Sequence, residues 1–475
     1  MIWLQRDKKS FCLEKRTGGH MKRTNIIRGK MELCKIDDLE FIFKKILYES
    51  EIWVSVYELN EEISNLTELE KPTKVAKLNV LSRDMLNYDE RLLSEVSENQ
   101  SRVYFCSYII YMDSHSDMDA YLRLREMKDN WYQASFLKGS LGVEYEGEIE
   151  RSGSPVVYQK RAIYIRDPLL TATVLNTINE LYYKNIVSAS IDQNAANDLA
   201  SLLQDIHFTT AKVFKVGNGN LINLNGINEK TGQKFEAMYD VGYHHKEHPG
   251  DKRKSYGCAV RVFGKINPNI VLLSHWDDDH ILGCVYSKRG LFDCRWVAPE
   301  IQKNAIGARR LAAYLSVRGK LTLIKRSSAN DRKLITITGK SGEISFYLGQ
   351  NVNKNGLSKE NCGGLVIEII NNSNNGNKIE SLFCGDVPYK AIENIIWSQR
   401  TNGYDNLVVP HHGSKMNYSP MKIKNGATAV ICCNNSKNRP ANEHRKALQG
   451  VLGKDAYVIK LTELALGCCI VLNLD

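Results

Sequence analysis

What the chain lacks narrows it first. No stretch approaches the ~20 consecutive apolar residues that a membrane-spanning helix needs, so no membrane partner is expected. The first thirty residues are basic and carry no apolar segment of the kind a secretory signal has; residues 1–30 are read as a disordered N-terminus. None of the 12 cysteines stands in a CxxC pair. Cys384, Cys432, Cys433, Cys468 and Cys469 lie in apolar runs, where cysteine behaves as a small buried hydrophobe. That placement argues against a disulfide framework and for a reducing, cytoplasmic compartment. There is no internal repeat and no glycine-rich nucleotide loop. Prolines are few, 10 in 475 residues, as in an ordinary globular protein.

What is present supports a sizeable core: 43% of residues are hydrophobic and 25% charged. At roughly 150 residues per domain the length implies two or three domains. The formal net charge is +10 and is spread along the chain. Summed positive potential steers anions, so a polyanionic partner, nucleic acid or a nucleotide, is expected.

Histidine divides the chain. Eight of the 11 histidines follow residue 240: His244, His245, His248, His275, His280, His411, His412 and His444. Chemistry that needs imidazole therefore belongs to the second half. Residues 31–206 mix patterns, with Val103–Met112 and Val156–Ile165 reading as strands and Asp38–Ser50, Pro168–Val187 and Gln193–Asp205 as helices. They are read as a separate mixed α+β domain of no nameable type. The acidic stretch Asp113, His115, Asp117, Asp119 is read as a solvated loop rather than a metal site. From 207 to 475 the texture changes to short apolar strands separated by glycine and asparagine turns, with helices at Ala305–Arg318 and Tyr389–Ser398. Such alternation predicts a layered α/β sandwich.

Four segments carry the chemistry. Ser274-His275-Trp276-Asp277-Asp278-Asp279-His280 directly follows an apolar strand. Two histidines and three aspartates this close repel unless a cation offsets them, and a divalent ion does so while activating water. Cys384-Gly385-Asp386 sets a carboxylate just past a strand. Val409-Pro410-His411-His412-Gly413-Ser414 sets adjacent histidines at another strand end. Asn438-Arg439-Pro440 leads to Glu443-His444. Together they offer the His and carboxylate donors of a two-metal site.

In this order the segments resemble the metallo-β-lactamase superfamily and its HxHxDH signature, and are most similar to the hydrolase domain of ComEC-type DNA-uptake proteins. Val216-Gly217-Asn218-Gly219-Asn220 resembles the VGQGD opening, Asp240-Val241-Gly242 the DxG turn, and Asn361-Cys362-Gly363-Gly364-Leu365 the lead into a later strand. The resemblance implies a metallo-β-lactamase αββα sandwich over 207–475 holding two divalent ions, zinc or manganese, with iron as a further option. It implies His275 and Asp277 at the first metal, Asp279 and His280 at the second, and Asp386 bridging. One of His411 and His412 would complete the second site. Asp279 and His444 are the expected catalytic residues, His444 facing the substrate.

Three departures stand out. Asp277 occupies the slot of a second histidine, a harder ligand that shifts preference from zinc toward manganese or iron. No histidine falls between His280 and Asp386, and Asn220 replaces an aspartate. The expectation is a metal-dependent phosphodiesterase, a nuclease using a two-metal-activated hydroxide. Hydrolysis of a small nucleotide, such as a cyclic one, or a binding or regulatory role with a degenerate metal site, are the alternatives. The N-terminal domain is read as a module for specificity or for a protein partner, a fusion of a kind found in bacterial defence systems.

Overall fold

The computed structural model describes residues 26–34, 52–60, 73–94, 105–112, 118–136, 156–169, 172–187, 193–243, 262–301, 305–324, 333–349, 363–372, 376–396, 403–416, 422–433, 457–460 and 468–475, less a few positions within these ranges, plus isolated residues between them. The chain divides into two compact units. One comprises Met1–Glu95, Tyr104–Leu181 and Asn304–Gly307, the other Val96–Val103, Tyr182–Lys303 and Ala308–Asp475.

The first unit is a closed barrel of six strands: β1 (Ile26–Cys34), β2 (Ile52–Leu59), β3 (Thr73–Leu81), β4 (Phe105–Met112), β5 (Tyr132–Phe136) and β6 (Val156–Leu169). They run in the order β1-β4-β3-β2-β5-β6, with β6 closing on β1 and every pairing antiparallel. Closure removes sheet edges. Ile26–Lys30 pair with β6 inside β1, which corrects the expectation of disorder for those five positions; the helix expected at Asp38–Ser50 lies outside the described residues. A helix over Arg83–Ser94 follows β3, and the Ser82 hydroxyl accepts a hydrogen bond from the Met85 amide at 3.3 Å, capping its first turn. A second helix, Met118–Glu126, begins at the end of the acidic stretch, with Asp119 in its first turn; residues 113–117 lie outside the described residues. That helix buries Ala120, Tyr121 and Leu124.

The second unit holds two seven-stranded sheets. The first is built from β7 (Ile206–Phe214), β8 (Leu221–Asn228), β9 (Lys234–Val241), β10 (Ile270–Leu272), β11 (Arg295–Pro299), β12 (Leu321–Ile324) and, from the end of the chain, β20 (Cys469–Asn473). The second contains β13 (Lys333–Thr338), β14 (Gly342–Leu348), β15 (Leu365–Asn372), β16 (Lys378–Phe383), β17 (Tyr404–Val408), β18 (Ile423–Ile431) and β19 (Tyr457–Lys460). Each sheet has an antiparallel half and a parallel half. β20-β7-β8-β9 are antiparallel and β9-β10-β11-β12 parallel. β13-β14-β15-β16 are antiparallel and β16-β17-β18-β19 parallel.

One core joins the two sheets. Leu224, Tyr239 and Leu272 of the first meet Phe346, Ile367, Phe383 and Val430 of the second. Each such side chain, fully buried, contributes roughly 1.5–3 kcal/mol. Strand residues alternate, so Val271, Trp296 and Ala298 face the outer side of the first sheet. There Trp296 donates to the Leu291 carbonyl at 2.5 Å, and Phe292 meets Tyr314 of the helix Ile306–Val317 edge-on. The helix Tyr389–Ile396 covers the outer face of the second sheet through Ala391 and Ile396. The layers are therefore helix, sheet, sheet, helix. The helix Gln193–Leu203 belongs with this unit, since Leu199 and Leu203 enter the inter-sheet core.

The sheets are tied at both ends. At one end the Leu365 amide donates to the Ser274 carbonyl at 2.7 Å, and the Tyr239 hydroxyl donates to the Leu365 carbonyl at 2.7 Å. At the other, the buried Asn371 amide nitrogen donates to the Phe208 and Leu474 carbonyls. No described helix is long and apolar enough to cross a membrane, and the described cysteines, Cys384 and Cys432 among them, are free thiols.

Candidate metal centre

Parallel strands release their chains at the same end, and adjacent carboxyl ends gather side chains into one place. Here the carboxyl ends of β9 and β10 in one sheet face those of β16, β17 and β18 in the other. They deliver Asp240, then Ser274 to His280, then Asp386, then His411 and His412, then Cys432.

The loops interlock closely enough to demand glycine. A Cβ on Gly242 would lie 1.7 Å from the Asp279 carbonyl oxygen, and one on Gly385 would lie 2.4 Å from Ser274 Cβ. Asn220 donates its amide to the Asp279 carbonyl at 3.1 Å and accepts from the Gly242 amide at 2.7 Å. The opening and DxG motifs thus buttress the loop that carries the acidic residues.

The donor atoms converge on Asp386. His280 Nε2 is 3.2 Å from Asp386 Oδ1, and His412 Nε2 lies 3.5 Å from that oxygen and 3.4 Å from Asp279 Oδ2. On the other side of the carboxylate, His275 Nε2 is 3.9 Å and His411 Nε2 3.8 Å from Oδ2, and His275 Nε2 is 3.6 Å from Asp277 Oδ2. Two groups are compact enough for a metal ion, each with donor atoms within 4.8 Å of one another: His275, His280 and Asp386, and Asp279, His280 and His412. His444 lies outside the described residues. The other expected site residues all reach this one edge of the sandwich.

A shell behind them fixes which nitrogen each histidine presents. Ser274 Oγ donates to Asp240 Oδ2 at 2.8 Å, so its lone pairs accept from His275 Nδ1 at 3.0 Å. His280 Nδ1 faces Asp240 Oδ2 at 2.7 Å, and His412 Nδ1 donates to the Cys432 carbonyl at 3.0 Å. With Nδ1 committed in each ring, Nε2 points into the centre as a ligand would. Asp240 is itself held by the Ser274 amide at 2.6 Å and the Asn220 side-chain amide at 2.8 Å. Asn220 therefore keeps a supporting contact although it replaces an aspartate; as an amide it donates where a carboxylate would repel Asp240. Sequence reasoning assigned no role to Asp240 or Ser274. The signal was a carboxylate ending an apolar strand, costly to bury without partners.

The electrostatics fit a cation. Burial raises the carboxyl pKa of Asp386, but the charges of His280, His412 and His411 outweigh that and hold it far below the usual range. Burial works against charge on His280 as well, yet Asp386 and Asp240 push its pKa well above that of a free imidazole. For Asp279 burial is again opposed, and outweighed, by a hydrogen bond from His412 and the charges of His280 and His412, which lower its pKa well below the carboxylate norm. Its side chain stays 30% exposed, which makes it the donor nearest solvent on its side of Asp386. The Nε2 atoms of His275 and His280 are buried with no hydrogen-bond partner. An unsatisfied buried polar atom costs about 1–3 kcal/mol, and a metal ion at this point would take both. The donor set of imidazoles and carboxylates suits zinc, manganese or iron. Strain points the same way: Asp240 has φ 60°, and His411 and His412 both have φ 51°. A left-handed conformation costs a non-glycine residue about 1–2 kcal/mol.

No family model and no curated protein matches the chain. Among solved structures, the chain is similar to CmlA, a diiron β-hydroxylase from Streptomyces venezuelae, with 13% identity and a TM-score of 0.30, covering 64% of this chain and 60% of that one. A point mutant of the CmlA β-hydroxylase gives 12% identity and a TM-score of 0.30 over 93% of this chain and 79% of that one. The metallo-β-lactamase MIM-1 from Novosphingobium pentaromativorans gives 11% identity and a TM-score of 0.21 over 42% of this chain and 76% of that one. Overlaps of this size decide nothing about chemistry. The topology carries the fold: the second unit is a four-layer αββα sandwich, with metal-sized donor groups where its parallel strands end.

Proposed function

We propose that the chain is a metal-dependent phosphodiesterase acting as a nuclease on DNA or RNA. The observation that carries this reading is a pair of His/Asp donor groups, each with donor atoms within 4.8 Å of one another, that share the buried His280 and lie against the buried carboxylate of Asp386. The net charge of +10 supports a polyanionic substrate, and the motif order, similar to the ComEC-type hydrolase domain, supports a phosphodiester. His275, Asp277, Asp279, His280, Asp386 and His412 are the proposed ligands. When bound, two divalent ions there would supply an activated water and neutralise charge developing on the phosphate.

The protein's own residues do the rest. Ser274 and Asp240 hold the rings of His275 and His280 so that neither reorganises during reaction. Asp279, ionised and part-exposed, is the carboxylate placed to take a proton from the attacking water. His444 is proposed to donate to a phosphate oxygen or the leaving group. The barrel is proposed to select the polymer or a protein partner.

The test is cleavage of single- and double-stranded DNA and RNA by the full chain with manganese, zinc or magnesium, beside an Asp279→Ala/His280→Ala double variant. Metal-dependent cleavage that disappears in the variant is expected. Bound metal without cleavage of any polymer would redirect the reading to a small or cyclic nucleotide. A chain that takes up no metal would overturn it in favour of a binding role.

A further inference from the structure

The metal-centre reading gives the first position one imidazole of its own, His275, because His280 belongs to both compact donor groups. The adjacent pair His411–His412 addresses the two oxygens of Asp386 separately. His412 Nε2 is 3.5 Å from Oδ1, the oxygen that faces His280 at 3.2 Å. His411 Nε2 is 3.8 Å from Oδ2, the oxygen that faces His275 at 3.9 Å. Neighbours in sequence reach opposite sides of one carboxylate because both backbones are left-handed, with φ 51° at each. The bend is held by hydrogen bonds from the His411 amide to the Gly385 carbonyl at 3.1 Å and from the Ser414 amide to the His411 carbonyl at 2.7 Å.

We propose that His411 is the missing imidazole of the first metal position, so that the consecutive histidines serve one position each. The two positions then match in composition. One has His280, His412 and Asp279, the other His275, His411 and Asp277, and both share Asp386. The interval between His280 and Asp386 holds no histidine, and the added nitrogen comes from the residue next to the second position's own ligand. The match also accounts for a left-handed residue at 411 that is not glycine: the conformation aims the ring at Oδ2, and strain held in place by surrounding contacts is common where geometry serves function.

This inference rests on the proposed two-metal centre, and the experiment separates the two. The full chain, stripped with chelator, is titrated with Mn(II) alone and read by calorimetry, elemental analysis and electron paramagnetic resonance, with thermal melting to confirm folding. The variants are His411→Asn, His411→Asp and His412→Asn; Asn and Asp tolerate the left-handed backbone better than other residues. The wild type is expected to bind two ions as a spin-coupled pair. His411→Asn should keep one ion at wild-type affinity and weaken the other beyond the ~10–100-fold that loss of a supporting second-shell contact costs. His411→Asp restores an oxygen donor and should recover the coupled pair. His412→Asn should lose the other ion. Two ions bound by His411→Asn at wild-type affinities would overturn the role of His411 and leave the two-metal reading intact. A wild type with one ion that His411→Asn does not disturb would overturn it too. A wild type that binds no ion would sink the two-metal reading itself. If His411→Asn does not fold, His411→Asp decides: a coupled pair supports the proposal, a single ion contradicts it.

Discussion

The two sides of Asp386 differ in how tightly they are built. On the Oδ1 side the contacts are 3.2 and 3.5 Å, and the side chains of His280, His412 and Asp279 are 0%, 5% and 30% exposed. On the Oδ2 side the contacts are 3.9 and 3.8 Å, and the His411 side chain is 25% exposed. His275, at 2%, and Asp277, at 18%, complete that side, so the two sides differ in contact length more than in exposure. Donors set closer to the shared carboxylate hold an ion more firmly; those set farther away exchange it. The second position is therefore expected to fill first and empty last.

The comparison breaks most completely if the shared carboxylate is removed. Asp386→Ala should abolish uptake at both positions and lower any hydrolytic rate by about 10³-fold, as expected for several kcal/mol of lost charge stabilisation; metal content and rate are read together. Next comes the scaffold. Gly242→Ala would place a Cβ 1.7 Å from the Asp279 carbonyl. Overpacking of that kind costs about 1–3 kcal/mol, so a lower melting temperature and weaker uptake at the Oδ1 side, where Asp279 sits, are expected. Asp240→Asn is subtler. It removes the carboxylate behind His280 Nδ1 and should weaken metal affinity by about 10–100-fold, with the larger share on the Oδ1 side, which calorimetry resolves.

The smallest effect is one of pH. In the metal-free protein, His280, whose pKa is raised, contributes stability that is fully present below its unfolded value of ~6.5 and is lost as pH rises through the folded value. Asp386, whose pKa is depressed, contributes stability present above ~3.9 and lost only as pH falls through the folded value. Both contributions therefore hold between ~4 and ~6.5. A ligand at His280 Nε2 must displace that proton, so metal uptake there should release about one proton and tighten as pH rises. Calorimetry in buffers of different ionisation enthalpy measures the proton; uptake with no proton release would contradict His280 as a ligand.

The centre was legible from the sequence because its residues cluster in short segments at strand ends, where acid and imidazole have no cheap structural reading. His275 to His280 and the His411–His412 pair stood out by themselves, whereas Asp386, after a common Gly-Asp turn, gained its weight only from the order of the segments. The support behind them was not legible. Asp240 and Ser274 act through contacts 34 and 40 residues apart in the chain, which no local pattern encodes. The choice between His411 and His412 depends on two left-handed backbone angles. The barrel was obscured for a different reason: its closure depends on pairing between segments far apart in the chain, β1 with both β4 and β6, which leaves no local pattern. β20 escaped notice because it is short and pairs with β7 from the far end of the chain.

Metal-dependent hydrolysis of a phosphodiester at Asp386 is the central claim. Its most direct test is the rate at which the full chain, loaded with manganese, cleaves bis(p-nitrophenyl) phosphate, a diester with no sequence or shape to recognise, compared with Asp386→Ala. Hydrolysis that requires the metal and is lost in Asp386→Ala is the expected result. Two ions bound to the wild type with no diester cleaved, or equal rates in both proteins, would contradict it.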